Sequence, residues 1–173
     1  MSGGNRLQGL AILALAALAS ALLAACGGSS SSGSDQFRDQ TKSPLLDFGE
    51  EGGESEREAG AEAVHRFFVA RAEGEWQAVC ALLSGAVLDK IEHLAISATG
   101  LSDKSCPAFL GSFTRLTQRE REQSQVVQAG SLRVRGSHGY LIYYGAGKAI
   151  FAMRLREEDG QWKVDSLSAE ELS

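Results

Sequence analysis

Three cysteines, three histidines and three tyrosines carry the less common reactive chemistry of this 173-residue chain. The histidines are His65, His93 and His138. No two of them stand at metal-ligand spacing and no acid is paired with them, so no metal site is expected and each reads as solvated or structural. Ser84-Gly85 does not form a nucleophile elbow. Gly145-x-Gly147 before Lys148 lacks the strand-to-helix context of a phosphate loop. Tyr140, Tyr143 and Tyr144 share one expected strand, on which one or two point inward. Acid–base chemistry would need a carboxylate or imidazole beside them in a cavity. No Asp or Glu falls at an inward strand position, and Asp165 alternates outward from Trp162 and Val164. No catalytic residue and no cofactor are assigned.

Charge is the other chemical pattern. The chain is acidic, with net charge -5, yet Arg133, Arg135, Arg154, Arg156 and Lys163 all fall on the outward side of predicted strands. Such a stripe could dock an anionic partner, a lipid headgroup or a wall polymer. The plainer reading, which is preferred, is a solvated face balanced by Asp165, Glu157 and Glu158. An acidic chain with no Lys/Arg block argues against nucleic acid as a partner.

Cysteine chemistry depends on compartment. Arg6 is followed by an apolar run from Leu10 to Leu23, interrupted at Ser20, which reads as a signal peptide over residues 1–25. The run is shorter than the roughly 20 apolar residues of a membrane span. Leu23-Ala24-Ala25-Cys26 resembles the bacterial lipobox. That resemblance implies a thioether-linked diacylglycerol on Cys26, which becomes the mature N-terminus, with two or more acyl chains giving a stable anchor. The implied address is the extracytoplasmic side of a bacterial cell membrane. The alternatives are an ordinary secretory signal with an incidental cysteine, or an uncleaved anchor. Cys80 and Cys106 then remain as an even pair in an exported protein and read as a disulfide, the alternative being two buried thiols.

The elements that must position these residues follow from periodicity. Residues 26–53 read as a linker, with a Gly/Ser spacer to Ser34, a polar and mobile stretch over Asp35–Ser43, and an apolar patch at 44–48 that either docks on the domain, the preferred reading, or is a peptide-like recognition segment. Ser55-Glu56-Arg57-Glu58 matches a helix start, and Ala61, Val64, Phe67 and Phe68 recur at helical spacing up to Gly74. Trp76, Val79, Cys80 and Leu83 mark a second helix, and residues 86–97 continue after a break at Ser84-Gly85. Ser105 caps another helix, with Pro107 in its first turn. After Glu122 the period becomes two. Strands are expected over Gln125–Arg135, Tyr140–Tyr144, Ala149–Glu157 and Gln161–Leu167, with turns at 136–139, at 145–147 and at Glu158-Asp159-Gly160. Residues 169–173 read as a polar tail. Helices followed by an antiparallel meander is an α+β order.

Several of these features occur together: Phe67-Phe68 on the first helix, the Gly74-Glu75-Trp76 break, Cys80-Ala81-Leu82-Leu83, a second cysteine before a short helix, and a closing Gly160-Gln161-Trp162-Lys163-Val164 strand. The set is similar to the nuclear transport factor 2-like superfamily over residues 54–168, most of all to its uncharacterised exported and lipid-anchored bacterial members. The resemblance implies helices packed on a curved antiparallel sheet that closes into a cone. Phe67, Trp76, Phe109, Tyr143, Phe151 and Trp162 are its expected cavity residues. A non-catalytic domain is expected, binding a small apolar ligand or a protein partner. The alternative is a small cavity enzyme of the isomerase or dehydratase type, as in the ketosteroid isomerase and SnoaL-like groups. Oligomeric state is not legible.

Overall fold

The computed structural model describes residues 33–172. Cys26 and the signal segment lie outside the described residues. The described chain is α+β, with a six-stranded antiparallel sheet.

Four helices arise where the helical period was expected. Helix α2 (Glu54–Glu73) starts earlier than Ser55 suggests, because the Glu56 carboxylate accepts the Gly53 N–H at 2.9 Å and Gly53 takes the cap position. It stops at Gly74, whose φ of 77° is the left-handed geometry that glycine adopts without penalty. Helix α3 (Trp76–Leu82) and helix α4 (Gly85–Ser97) are separated by an extended Leu83-Ser84 step. The Ser84 hydroxyl accepts the Val87 N–H and caps α4. Helix α5 (Cys106–Phe113) carries Pro in its first turn. Cys80 on α3 and Cys106 on α5 form the expected disulfide.

Helix α6 (Gln118–Ser124) was not expected as a separate element. Thr117 and Glu120 form a reciprocal capping box, each side chain accepting the other residue's backbone N–H. Thr117-x-x-Glu120 was the signal, but the helix has no apolar face and none of its residues is buried, so periodicity missed it.

The sheet runs β1 (Glu50–Glu51), β2 (Gln128–Arg135), β3 (His138–Tyr144), β4 (Ile150–Glu158) and β5 (Gln161–Val164) in that order, with β6 (Glu170–Leu172) also on β4. The β4–β5 hairpin turns on Asp159 and Gly160, at φ 52° and 73°, as its Asp-Gly sequence predicts. The turn before β3 is shorter than expected: His138 and Gly139 already pair with β2 and β4. The strand expected over Gln161–Leu167 breaks after Val164. Chain pairing resumes as β6 alongside Ile150–Ala152, so residues 170–172 are part of the sheet and not a polar tail.

The strands alternate as expected. Leu132, Leu141, Tyr143, Met153, Leu155 and Val164 turn one way and pack on Val64, Phe67, Phe68, Val79 and Ile91 of the helices. Burial of each large apolar side chain contributes about 1.5–3 kcal/mol relative to exposure.

The other sheet face is covered where a mobile linker was expected. Helix α1 (Asp35–Arg38) and a 3-10 turn (Pro44–Asp47) place Phe37 and Leu46 on Ile142, Ile150, Ala152 and Leu172. Phe37 is fully buried. Its ring occupies the space a Cβ at Gly130 would need, at a register shift in β2, and lies 4.9 Å from the Tyr144 ring. Arg38 ties the segment together by an ion pair to Asp47 at 3.0 Å. The stretch 34–51 is therefore a strap on the sheet. The docking expected for 44–48 holds, whereas the linker expected over 35–43 is corrected.

Candidate ligand-binding site

One pocket opens between α2, α6 and the ends of β3 and β4, with a volume of about 410 Å³. Its apolar wall includes Phe68 from α2, Tyr143 from β3 and Phe151 from β4. The Tyr143 and Phe151 rings stack at 5.7 Å, and Phe68 stands 6.5 Å from Tyr143. Gly145 makes this possible, since a Cβ there would sit 2.6 Å from the Phe151 ring. Leu116, Val126 and Ala169 extend the apolar lining. Val126 is 44 % exposed, an open apolar group at this site.

Polar groups join the lining from the helix side. Arg71 donates to the Leu167 carbonyl at 3.0 Å. Burial pushes its pKa below the ordinary arginine value, opposed by Glu120. It keeps its charge, as arginines in proteins do. Glu120 is held below its usual range by the Thr117 backbone and side-chain hydrogen bonds, with Arg71 adding to the effect. The Tyr143 hydroxyl is pushed well above the usual phenol range by burial, so it is a neutral hydrogen-bond donor and not a phenolate base.

The six aromatic residues expected around a single cavity are dispersed. Tyr143 and Phe151 line this pocket. Phe67 is buried in the helix–sheet core, and Phe109 packs partly buried against that core. Trp76 covers Gly111 of α5, and Trp162 lies over Gly139, each ring 3.0 Å from where a Cβ would be. Trp162 borders a wider, open groove of about 1080 Å³ beside α2 and α3 that also holds His65. Arg71, Glu120 and Val126 are site residues that sequence reasoning missed. Their signal was present only in part, through the Thr117-x-x-Glu120 cap that positions α6.

The basic stripe also separates into parts. Arg133 is buried, not solvated: it pairs with Glu51 at 3.0 Å and donates to the Phe48 and Gly49 carbonyls. Lys163 donates to the Ala81 carbonyl at the end of α3. Arg135 lies over the Phe48 ring at 4.5 Å. Arg154 and Arg156 flank Asp165 at 3.7 and 3.5 Å. The acids expected to balance the stripe are dispersed as well. Glu157 sits opposite Trp162 on the other face, Glu158 accepts the Gly85 N–H at the start of α4, and Asp165 alone stays among the arginines. Asp165 is buried and accepts the Ser84 hydroxyl at 2.5 Å.

Among the described residues, no group of three His, Cys, Asp or Glu side chains could hold a metal ion. His65, His93 and His138 are all exposed. Among the same residues, no helix is long and apolar enough to cross a membrane. No family model, no curated protein and no solved structure matches this chain.

Proposed function

We propose that this chain is a lipid-anchored, extracytoplasmic domain of the bacterial envelope that binds a small apolar ligand and does no chemistry on it. The observation that carries the binding reading is the pocket at Phe68, Tyr143 and Phe151. Its volume of about 410 Å³ lies in the range of small-molecule sites, and it combines apolar walls with a few polar groups. Tyr143 and Arg71 would orient a polar end of the ligand, and the rings would take its apolar body. Glu120 is the one carboxylate of this lining, and it is committed to the Thr117 cap, which favours binding over proton transfer. Helices on one face of an antiparallel sheet support the nuclear transport factor 2-like, cone-shaped reading. The lipobox-like Leu23-Ala24-Ala25-Cys26 supports the anchor.

The pocket is tested with a diazirine-bearing fatty acid as probe, on full-length protein in phosphatidylcholine nanodiscs. Photolabelling is expected on peptides containing Phe68, Tyr143 and Phe151. Ala146→Trp, which fills the mouth, should lower that labelling about tenfold, the change that about 1.4 kcal/mol represents. Label spread evenly over the surface, or unchanged in A146W, refutes the pocket. The anchor is tested separately by intact mass after extraction from a bacterial host. A chain beginning at Cys26 and carrying diacylglycerol is expected, and any other start removes the anchor from the proposal.

A further inference from the structure

The outer face of the sheet carries a second concavity, of about 300 Å³, away from the pocket at Tyr143. Lys90 from α4, Arg135 from β2, and Arg154 and Arg156 from β4 contribute four cations to its lining, and Asp165 contributes the one carboxylate. In a chain of net charge -5 this is a local reversal of sign. The carboxylate is largely occupied: Oδ1 accepts the Ser84 hydroxyl, and both flanking arginines approach it.

The cations are less satisfied than the acid. Arg156 Nε is buried with no hydrogen-bond partner, 3.5 Å from Asp165 without bonding to it. Arg154 spends its Nε on the Asp165 carbonyl at 3.1 Å. Neither Lys90 nor Arg135 is ion-paired among the described residues, and the Arg135 guanidinium rests on the Phe48 ring. Phe48 in turn meets Tyr140 edge-on at 4.9 Å, giving the concavity an aromatic wall. A buried donor left without a partner costs free energy that a suitable acceptor would restore. Guanidinium forks match a tetrahedral oxyanion through paired hydrogen bonds, and an excess of cations favours an anion of more than one charge over a lone carboxylate.

We propose that this concavity is a phosphoryl-binding site, with Lys90, Arg135, Arg154 and Arg156 as its ligands to the anion. The group is either a free phosphate or the phosphate of a lipid headgroup. The site shares no residue with the pocket at Tyr143, so either can fail alone.

The test uses full-length protein in phosphatidylcholine nanodiscs and reads amide hydrogen exchange across residues 86–90 and 154–165. Inorganic phosphate is titrated at constant ionic strength. In a second arm, phosphatidylglycerol is added to the discs instead. Saturable protection is expected in one arm. Protection by inorganic phosphate identifies a free anion, and protection only with phosphatidylglycerol identifies a headgroup. The exposed-residue variant K90E/R135E should raise the midpoint about tenfold, and the neutral K90Q/R135Q should raise it less. The equal-charge control R119E/R121E, on α6, should leave it unchanged. The proposal is overturned by no saturable protection in either arm, by an unmoved midpoint in both Lys90/Arg135 variants, or by a control that shifts as far as they do.

Discussion

Adjacent on β3, Tyr143 and Tyr144 meet different surroundings. Tyr144 faces the strap, where its hydroxyl accepts from Gln40 at 2.6 Å. Tyr143 turns into the helix–sheet core, where burial holds its proton above the ordinary phenol value of 10.0. The linkage has a definite sign. Below about pH 10 both folded and unfolded chains keep the proton, and the contribution is fully present. Above it, the unfolded chain ionises and folded Tyr143 does not, so stability falls as pH rises. Tyr143→Phe should therefore flatten part of the alkaline loss, read as a smaller drop in Tm between pH 9 and pH 11. A wild-type slope in the variant would show that this phenol is not the group responsible. Alternation in the strand was enough to turn one or two of its tyrosines inward in the sequence, without saying which. It was not enough for Arg133, because a period of two assigns a face and says nothing of what later covers that face. Its burial depends on Phe48, Gly49 and Glu51, which precede it by more than eighty residues.

Among the elements, α3 and α5 are joined by one covalent link. The Cys80–Cys106 bridge spans a separation of 26 residues, and all of α4 lies inside the loop. A loop of that size constrains the unfolded chain by about 3 kcal/mol in the chain-entropy account. The double variant C80A/C106A should lose about that much in urea unfolding. An unchanged midpoint would mean that the helices hold one another without the link. The pairing was readable from cysteine number once export was inferred. Element boundaries were readable where chemistry is local: Gly74 ending α2, the Ser84-Gly85 break before α4, Asp159-Gly160 turning the last hairpin. Helix α6 was not, because a short polar helix held by a cap leaves no apolar stripe to count. The pocket inherits that gap, since Glu120, Gln123 and Ser124 of α6 form part of its wall.

At the scale of the whole fold, the described residues form two apolar layers, one between helices and sheet and a smaller one between sheet and strap. Of the second, the sequence showed the docking patch at 44–48 but not the part made by Phe37. Phe37 is a lone aromatic within the polar run Asp35–Ser43, and its slot is created by the missing side chain of Gly130. Phe37→Ala should cost about 3 kcal/mol, as for other buried aromatics, and should raise amide exchange across residues 34–48. Loss of stability without faster exchange there would place the damage elsewhere. The strap also imposes an order of assembly. Its residues are synthesised early, yet Gln40 reaches Tyr144 across 104 positions, and Leu46 shares its cluster with Leu172. The segment that leaves the ribosome before the rest of the domain is thus without a docking surface until the final strands arrive. Contacts so distant in sequence form slowly. Until those strands exist, Phe37 and Leu46 of a growing chain lack the sheet residues that bury them, Ile142, Ile150, Ala152 and Leu172.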